Sequence, residues 1–319
     1  MRPRTRQEGY AIQARLEARS AAPLFGWKIA ATSVAGQAHI NVDGPLAGRL
    51  LREKAFDSGA DVPFGANHMR VGEAEFAFRM GSDLAPRAEP YVVSEVLDAV
   101  SALHPAIEIP DSRYDDFTIV GAPQLIADNA CAHLFVLGQE APAIWRDLDL
   151  VAHAVTGTVA GRQNQTLMRE GRGANVLGDP RVALTWLVNE LSGLGITLKA
   201  GAVVTTGTCL TPLPIAPGAA MTAEFGAIGH VSVQIRRSYV SYHLMPVYAA
   251  PQLLKSMSPG LRKRMQGTSC FNFTSIEPDQ VKELSALTRA GIAAFRNIDL
   301  PWATRQVKVS ARSGRRRVR

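Results

Sequence analysis

The sequence predicts an α+β fold in which a largely β body carries peripheral helices and is followed by a basic, helical extension. Short apolar runs separated by Gly- and Pro-containing turns outnumber helical patterns along most of the 319 residues. The charge changes near Arg236, since residues 1–235 hold 19 Lys and Arg against 24 Asp and Glu, whereas residues 236–319 hold 16 against 4. We therefore divide the chain into a body at residues 1–236 and an extension at residues 237–319.

Helical patterns in the body are few. Residues 8–20 and 94–103 place apolar side chains at helical spacing, and Ser94 is a suitable N-cap for the second segment. Asp179 and Pro180 supply a cap and a first residue for a helix over residues 181–191. Strands are predicted at residues 25–30, 72–78, 151–159 and 201–208, with a β-hairpin over residues 222–235.

The extension combines helical patterns with basic runs. Residues 251–257 and 278–295 are predicted helices, and the runs LRKR (261–264) and RRRVR (315–319) are strongly basic. Three interpretations are open: an appended helical module, an arm that binds nucleic acid or acidic surfaces, or a product of an in-frame fusion. For residues 310–319 a solvated tail is the simplest interpretation.

Three glutamates mark the most informative part of the body. In the run GEAEFAF (72–78), strand alternation places Glu73 and Glu75 on one face, and Glu108 lies in a second apolar run, AIEI (106–109). Crowded carboxylates without converging Cys or His are typical of a site for a hard cation, Mg²⁺ or Mn²⁺. The spacing is equally compatible with an edge strand whose glutamates lie in solvent.

Other patterns narrow the class of protein. No apolar run reaches about 18 residues, and the basic N-terminus lacks an apolar stretch, so neither a membrane span nor a secretory signal is expected. Cys131, Cys209 and Cys270 are few and far apart, which indicates a reducing, cytoplasmic environment and argues against zinc. The Gly-rich residues 171–178 lack a phosphate-loop ending and fit a turn into a helix.

Seven segments carry a resemblance to a known family: GWKI (26–29), EAEFAF (73–78), AIEI (106–109), DSR (111–113), ADNA (127–130), residues 171–180 and VTTG (204–207). In this order they resemble the hydratase branch of the fumarylacetoacetate hydrolase superfamily, which includes 2-keto-4-pentenoate hydratase and 4-oxalocrotonate decarboxylase. The resemblance extends from about Tyr10 to Ile235, roughly three quarters of the chain, and it implies a mixed β-roll.

The resemblance also implies roles for individual residues. It implies that Glu73, Glu75 and Glu108 bind the divalent metal and that Lys28 and Asp43 act as acid/base or substrate-orienting groups; the predicted substrate-binding residues are Phe76, Asp128, Thr206 and Gly207. A lysine beside a metal in an apolar strand is expected to have a lowered pKa, suited to moving a proton near neutral pH. A structural ion pair is the alternative interpretation of Lys28.

The implied activity is hydration of a small 2-hydroxy-2,4-dienoate or 2-oxoalkenoate to a 4-hydroxy-2-oxo acid, as in the breakdown of aromatic compounds, by a homo-oligomeric enzyme. Decarboxylation of 4-oxalocrotonate and hydrolysis of an acylpyruvate are alternatives on the same site. Hydrolysis is less favoured because His39, the only early histidine available, has no adjacent acid. An inactive body that carries a basic binding arm is the alternative from another class.

Three departures from the family stand out. The N-terminal region is shorter by about one helix pair, Cys131 stands where a serine is common, and residues 237–319 have no counterpart in the family. Nucleic-acid binding is expected only through the basic extension.

Overall fold

The structure, a computed structural model, describes residues 2–161, 165–237, 240–248, 250–255, 257–273 and 275–296. It divides into two compact units, Met1–Arg237 and Ser238–Arg319. None of the helices in these ranges combines the length and the apolar content that crossing a bilayer requires. The basic run at residues 315–319 lies outside the described residues.

The first unit is mixed α and β. Its strands are β1 (Gly26–Ala30), β2 (Leu46–Leu50), β3 (Ala55–Asp57), β4 (Ala60–Pro63), β5 (Val71–Met80), β6 (Val100–Ile109), β7 (Leu134–Leu137), β8 (Ala154–Ala160), β9 (Thr166–Arg172), β10 (Val203–Thr208), β11 (Leu213–Pro214), β12 (Ala220–Glu224) and β13 (His230–Arg236). Its α-helices are α1 (Arg6–Gln13), α2 (Val34–His39), α3 (Val93–Asp98), α4 (Ala122–Ala127) and α5 (Pro180–Gly193).

Two sheets build this unit. The larger, curled sheet has the order β2-β1-β10-β5-β6-β7-β3, and β11 pairs with β5. Strand β1 runs parallel to β10, whereas β5 is antiparallel to both β10 and β6. The smaller sheet has the order β4-β13-β12-β8-β9. The long strand β5 is therefore central rather than at an edge.

The two faces of β5 have different surroundings. Ala74, Phe76 and Phe78 belong to the main hydrophobic core, whereas Ala77 belongs to a smaller cluster on the other face. Because side chains alternate along a strand, Glu73 and Glu75 share the face of Ala77. The fold thus separates the carboxylates from the large aromatic side chains of the same strand.

The helix at residues 181–191 and the hairpin at 222–235 are confirmed as α5 and the β12–β13 pair. The Asp179 carboxylate accepts a hydrogen bond of 2.8 Å from the Arg181 amide, and Pro180 opens the helix. The helix predicted over 94–103 is partly wrong, since α3 ends at Asp98 and Val100 begins β6. The helix over 8–20 is α-helical only as α1 and continues as a 3₁₀ turn.

The second unit holds a sheet that the sequence analysis missed. Strands β14 (Val240–His243), β15 (Met265–Gln266) and β16 (Cys270–Phe273) form it in the order β14-β16-β15, beside helices α6 (Pro259–Arg262) and α7 (Pro278–Arg296). Helix α7 confirms the pattern at 278–295, while residues 251–254 form only a 3₁₀ helix. The core of this unit consists of Leu244, Val247, Met257, Leu261, Phe271, Phe273, Leu284 and Leu287.

Candidate functional site

The three glutamates singled out from the sequence meet on adjacent strands. Glu73 of β5 lies directly opposite Glu108 of β6, and Glu75 follows on the same face of β5. One carboxylate oxygen from each of the three lies within 4.8 Å of the other two. The strand register thus converts two distant sequence motifs into one cluster of oxygen ligands.

Burial decides between the two interpretations of these glutamates. The side chains of Glu75 and Glu108 are fully buried, and Glu73 is half-buried. Glu75 Oε1 and Glu108 Oε1 have no hydrogen-bond partner among the described residues. The interpretation of these glutamates as solvent-exposed residues of an edge strand is therefore wrong. Because buried anionic oxygens without partners are costly, the arrangement favours a bound cation.

The electrostatics of the cluster follow from burial and mutual repulsion. Burial, together with the charge of Glu108, raises the pKa of Glu73 to about 7. Burial and the charges of Glu108 and Glu73 raise the pKa of Glu75 well above its ordinary value, and burial also raises the pKa of Glu108. The cluster resists holding three negative charges without a compensating cation.

Lys28 supplies part of that compensation. Its Nζ lies 3.0 Å from Glu108 Oε2 and donates a hydrogen bond of 3.1 Å to the Ala130 carbonyl oxygen. Burial alone lowers the pKa of Lys28, but the charges of Glu108, Glu73 and Glu75 outweigh burial, so the pKa of this ammonium is raised. Without a cation in the cluster the pKa of Lys28 is therefore raised rather than lowered, and the lowered pKa expected for a lysine beside a bound metal stays a prediction.

A bulge in β10 completes the surroundings of Glu75. Thr205 pairs with Ala77 but Thr208 pairs with Glu75, so β10 contains one extra residue between them. The Gly207 amide donates a hydrogen bond of 2.9 Å to Glu75 Oε2, and the Thr205 hydroxyl donates to the same oxygen. These two donors hold Glu75 through Oε2, whereas its Oε1 has no hydrogen-bond partner among the described residues.

Replacing Gly207 with alanine is expected to destabilise the first unit. Gly207 has φ +95°, and an added Cβ would lie 2.2 Å from Thr32 Oγ1. Backbone strain in such a region costs about 1–3 kcal/mol before any displacement of Thr32, and the amide donor to Glu75 moves with it. Urea unfolding of the metal-free protein measures the loss.

Gly193→Ala is the matched control, because a Cβ at Gly193 meets nothing within 4 Å. We expect its unfolding midpoint to stay at or above that of the parent. Equal midpoints for Gly207→Ala and the parent would contradict the strain assigned to the bulge.

Two predicted substrate-binding residues lie away from the carboxylates. Phe76 points into the main core, where its ring packs edge-on against Phe225 at a centroid distance of 5.1 Å. The Thr206 hydroxyl donates a hydrogen bond of 3.0 Å to the Phe76 carbonyl oxygen. Its neighbour Thr205 is the threonine that contacts the cluster. Gly207 does lie at the cluster, where its backbone amide donates a hydrogen bond to Glu75.

The two predicted aspartates have different surroundings. Asp128 is buried and accepts hydrogen bonds from the Ser112 hydroxyl at 2.7 Å and the Arg113 amide at 3.1 Å. Its Oδ1 also lies 2.5 Å from Arg113 Nε. The contacts of Asp128 therefore hold the loop that contains Ser112 and Arg113. Asp43 has an 88% exposed side chain whose ion pair is with Arg6 at 3.7 Å. The structure does not bring Asp43 to Lys28 or the glutamates.

Sequence patterns overlooked two contributors to the site: Thr205 and the Ala130 carbonyl. Thr205 lies opposite Lys28 in the parallel β1–β10 pair. Only the register, which a single sequence does not supply, would have shown that Thr205 rather than Thr206 faces the glutamates. The Ala130 carbonyl depends on left-handed backbone at an alanine, for which the sequence carries no signal.

The donor set fits a hard divalent cation. The ligand atoms are carboxylate oxygens, the type that Mg²⁺, Mn²⁺ and Ca²⁺ prefer. Three carboxylates against one ammonium leave two negative charges, which one divalent ion neutralises. The orphaned oxygens of Glu75 and Glu108 are the partners that such an ion would take.

The chain is similar to known proteins with this fold. The family model for the fumarylacetoacetate (FAA) hydrolase C-terminal domain matches residues 16–236. The chain therefore belongs to the fumarylacetoacetate hydrolase family, and the predicted family and fold class are confirmed.

Curated relatives include several hydratases. The 2-keto-4-pentenoate hydratase of Burkholderia vietnamiensis is 34% identical over 208 residues, which cover 65% of this chain and 76% of the relative. The enzyme of the same name from Paraburkholderia phymatum is 34% identical over 225 residues, covering 70% and 83%. The 2-hydroxyhexa-2,4-dienoate hydratase of Comamonas testosteroni is 34% identical, covering 69% and 81%.

A solved structure is similar as well. The 4-oxalocrotonate decarboxylase of Pseudomonas putida G7, in complex with magnesium and adipate, superposes with a TM-score of 0.63 at 27% identity. The match covers 72% of this chain and 86% of that enzyme. The same decarboxylase has also been solved with calcium and acetate.

Proposed function

We propose that the first unit is a divalent-metal-dependent hydratase that adds water to a 2-hydroxy-2,4-dienoate, through its 2-oxoalkenoate form, and yields a 4-hydroxy-2-oxo acid. The observation that carries this proposal is the buried cluster of Glu73, Glu75 and Glu108 with Lys28 beside it. Relatives named as hydratases of such substrates support the reaction class.

Mg²⁺ or Mn²⁺ is the proposed cation, with Glu73, Glu75 and Glu108 as its protein ligands. Support comes from the oxygen-only donor set and from the magnesium in the decarboxylase complex. When bound, such an ion supplies Lewis acidity that polarises the C2 oxygen of the substrate and stabilises negative charge there. Gly207 and Thr205 hold Glu75 in the orientation that this role requires.

Lys28 is the proposed proton carrier. Its ammonium lies at the edge of the carboxylate cluster, and it is the cationic side chain paired with Glu108 among the described residues. In the proposed reaction it moves a proton between the substrate oxygen at C2 and the carbon chain. Water then adds to the far end of the unsaturated ketone. A divalent ion held by the glutamates would neutralise their charges, which raise the pKa of Lys28, and so would make the Lys28 proton easier to release.

The direct test follows the dienol absorbance of 2-hydroxypenta-2,4-dienoate with Mg²⁺ or Mn²⁺ and then with excess EDTA. We expect absorbance loss that requires the metal, with 4-hydroxy-2-oxopentanoate as the product identified by mass spectrometry. Metal binding without turnover of this substrate would contradict the hydratase assignment while leaving the metal centre intact.

Decarboxylation of a 4-oxalocrotonate-type acid is the second candidate, because the similar solved structure is a decarboxylase. Release of CO₂ from 4-oxalocrotonate under the same conditions distinguishes it. Acylpyruvate hydrolysis has less support, since His39 is exposed and its ring packs against Phe117, 6.0 Å between centroids.

We assign the activity to residues 1–236, and residues 237–319 stay an extension of unknown role. Each unit has its own hydrophobic core. Self-association of the chain, a cytoplasmic location and nucleic-acid binding through the basic extension stay predictions.

A further inference from the structure

We propose that Asn129 is a positioning residue that holds the Ala130 carbonyl against Lys28 and so fixes the Lys28 ammonium beside Glu108. The inference rests on the proposed catalytic role of Lys28. It concerns a residue that touches neither the lysine nor the glutamates with its side chain and acts through the backbone of its neighbour.

The backbone around Asn129 is held in an unfavourable conformation. Asn129, Ala130 and Cys131 have φ values of 60°, 50° and 61°, three successive left-handed residues without a glycine. Asparagine tolerates this region, whereas alanine and cysteine do so at an energetic cost. Strain of this kind persists only where the surroundings determine the conformation, and such strain clusters at functional sites.

The side chain of Asn129 holds this backbone conformation through two hydrogen bonds. Its Oδ1 accepts a hydrogen bond of 2.7 Å from the Arg49 amide, and its Nδ2 donates one of 2.8 Å to the Arg49 carbonyl oxygen. The side-chain amide of Asn129 thus bonds both the backbone N–H and the backbone carbonyl of Arg49 in β2, as a residue of a neighbouring strand would. A loop residue is thereby locked to the sheet that carries Lys28.

The loop also approaches the sheet closely at Gly48. A Cβ on Gly48 would lie 2.5 Å from the Asn129 carbonyl oxygen and 3.0 Å from Lys28 Cγ. Gly48 pairs directly with Lys28 across β1 and β2. The missing side chain therefore lets the Asn129 backbone lie next to the stem of the lysine.

The residue after Asn129 in this loop, Ala130, contacts the proposed proton carrier Lys28. The Ala130 carbonyl oxygen accepts a hydrogen bond of 3.1 Å from Lys28 Nζ, whose other contact is Glu108 Oε2 at 3.0 Å. Lysine has four rotatable side-chain bonds, and one ion pair does not fix its terminal nitrogen. The second contact, aimed by Asn129, restricts the ammonium to one position relative to the carboxylates.

The chain offers a matched control in Asn189 of helix α5. Its side chain makes the same bridge, accepting from the Tyr91 amide at 2.7 Å and donating to the Tyr91 carbonyl oxygen at 3.0 Å. Asn129→Gly and Asn189→Ala each remove one such bridge, and each replacement keeps its local backbone conformation accessible. They differ in whether the bridge supports Lys28.

The test compares kcat, KM, divalent-ion affinity by calorimetry and thermal stability for the two variants and the parent. We expect Asn129→Gly to lower kcat by about tenfold to a hundredfold, with KM and ion affinity within about threefold of the parent. Asn189→Ala is expected to cost similar stability with kcat unchanged. Equal kcat losses in both variants, or no loss in Asn129→Gly, would overturn the proposal.

A crystal structure of the Asn129→Gly variant gives a readout independent of turnover. We expect Lys28 Nζ to leave the Ala130 carbonyl oxygen while the three glutamates keep their positions. An unchanged Lys28 in that structure overturns the inference. A displaced Lys28 in a protein whose parent turns over none of the proposed substrates supports the positioning role and refutes the proposed function instead.

Discussion

Replacing Glu75 with glutamine is expected to abolish stoichiometric divalent-ion binding and to lower turnover at least about a hundredfold. Glu75 is the glutamate whose Oε2 is held by Gly207 and Thr205 and whose Oε1 has no partner among the described residues. An amide keeps the shape of the side chain but removes the charge that a hard cation requires. Calorimetric titration with Mg²⁺ and Mn²⁺, beside the dienol assay, measures both effects.

The same variant is expected to be more stable than the parent in EDTA. The pKa of Glu73 is raised from an ordinary value of 4.5 to about 7, and that of Glu75 is raised well above the same ordinary value. A carboxyl group whose folded pKa is raised binds its proton more tightly in the folded state. The metal-free parent therefore loses stability as the pH rises from about 4.5 through the raised pKa of Glu73, about 7. Removing one charge relieves that loss.

Added Mg²⁺ should reverse the order of stability, because only the parent gains from binding. Glu89→Gln, at an exposed glutamate, controls for a general effect of lost charge. Parent-like ion affinity in Glu75→Gln would refute the ligand assignment, whatever the activity.

Replacing Lys28 with methionine is expected to lower kcat by about a hundredfold to ten-thousandfold, the range for loss of a general acid or base. Divalent-ion binding should persist, because all three carboxylates remain. The side chain of Lys28 is only 3% exposed, so methionine occupies a similar volume without the charge. The dienol assay at saturating Mg²⁺ separates this loss from any change in ion affinity.

Stability provides a second measurement for the same variant. Removing one partner of a buried ion pair leaves the other charge uncompensated, at a cost of about 3–5 kcal/mol. We expect urea unfolding in EDTA to show this destabilisation and saturating Mg²⁺ to reverse most of it. Lys199→Met is the control, since Lys199 is 69% exposed in its pair with Asp83. Unchanged kcat in Lys28→Met would leave the lysine with a purely structural role.

The central part of the site could be predicted because it depends on strand alternation. Two glutamates two residues apart in an apolar run had to share a face, and Glu108 joined them once β5 and β6 paired. The helix predicted over 94–103 extends too far because the apolar pattern of Val100 and the residues after it fits a helix as well as a strand. Pairing along β5 and β7 decides for a strand.

The remaining details depend on tertiary structure. Thr205 pairs with Ala77 ahead of the bulge, so the register of β10 against β5 decides that Thr205, and not Thr206, shares the face of the glutamates. Phe76 belongs to the same segment as Glu73 and Glu75, but adjacent residues in a strand face opposite ways, so its ring lies in the main core. Asp43 sits beyond α2 at the surface, so its match to the family motif did not bring it to the glutamates.

The pairing of β1 with β10 has a consequence for how the protein folds. These strands come from opposite ends of the first unit, and they lie side by side in parallel. Chain closure over such a distance is slow and occurs late, as contact order predicts. Glu73, Glu75 and Glu108 come together when β5 pairs with β6, whereas Lys28 and Thr205 join them only when β1 and β10 have paired. The carboxylates of the cation site are therefore assembled by a pairing of neighbouring strands, and the lysine and threonine that compensate and orient them are contributed by the most distant pairing in the unit.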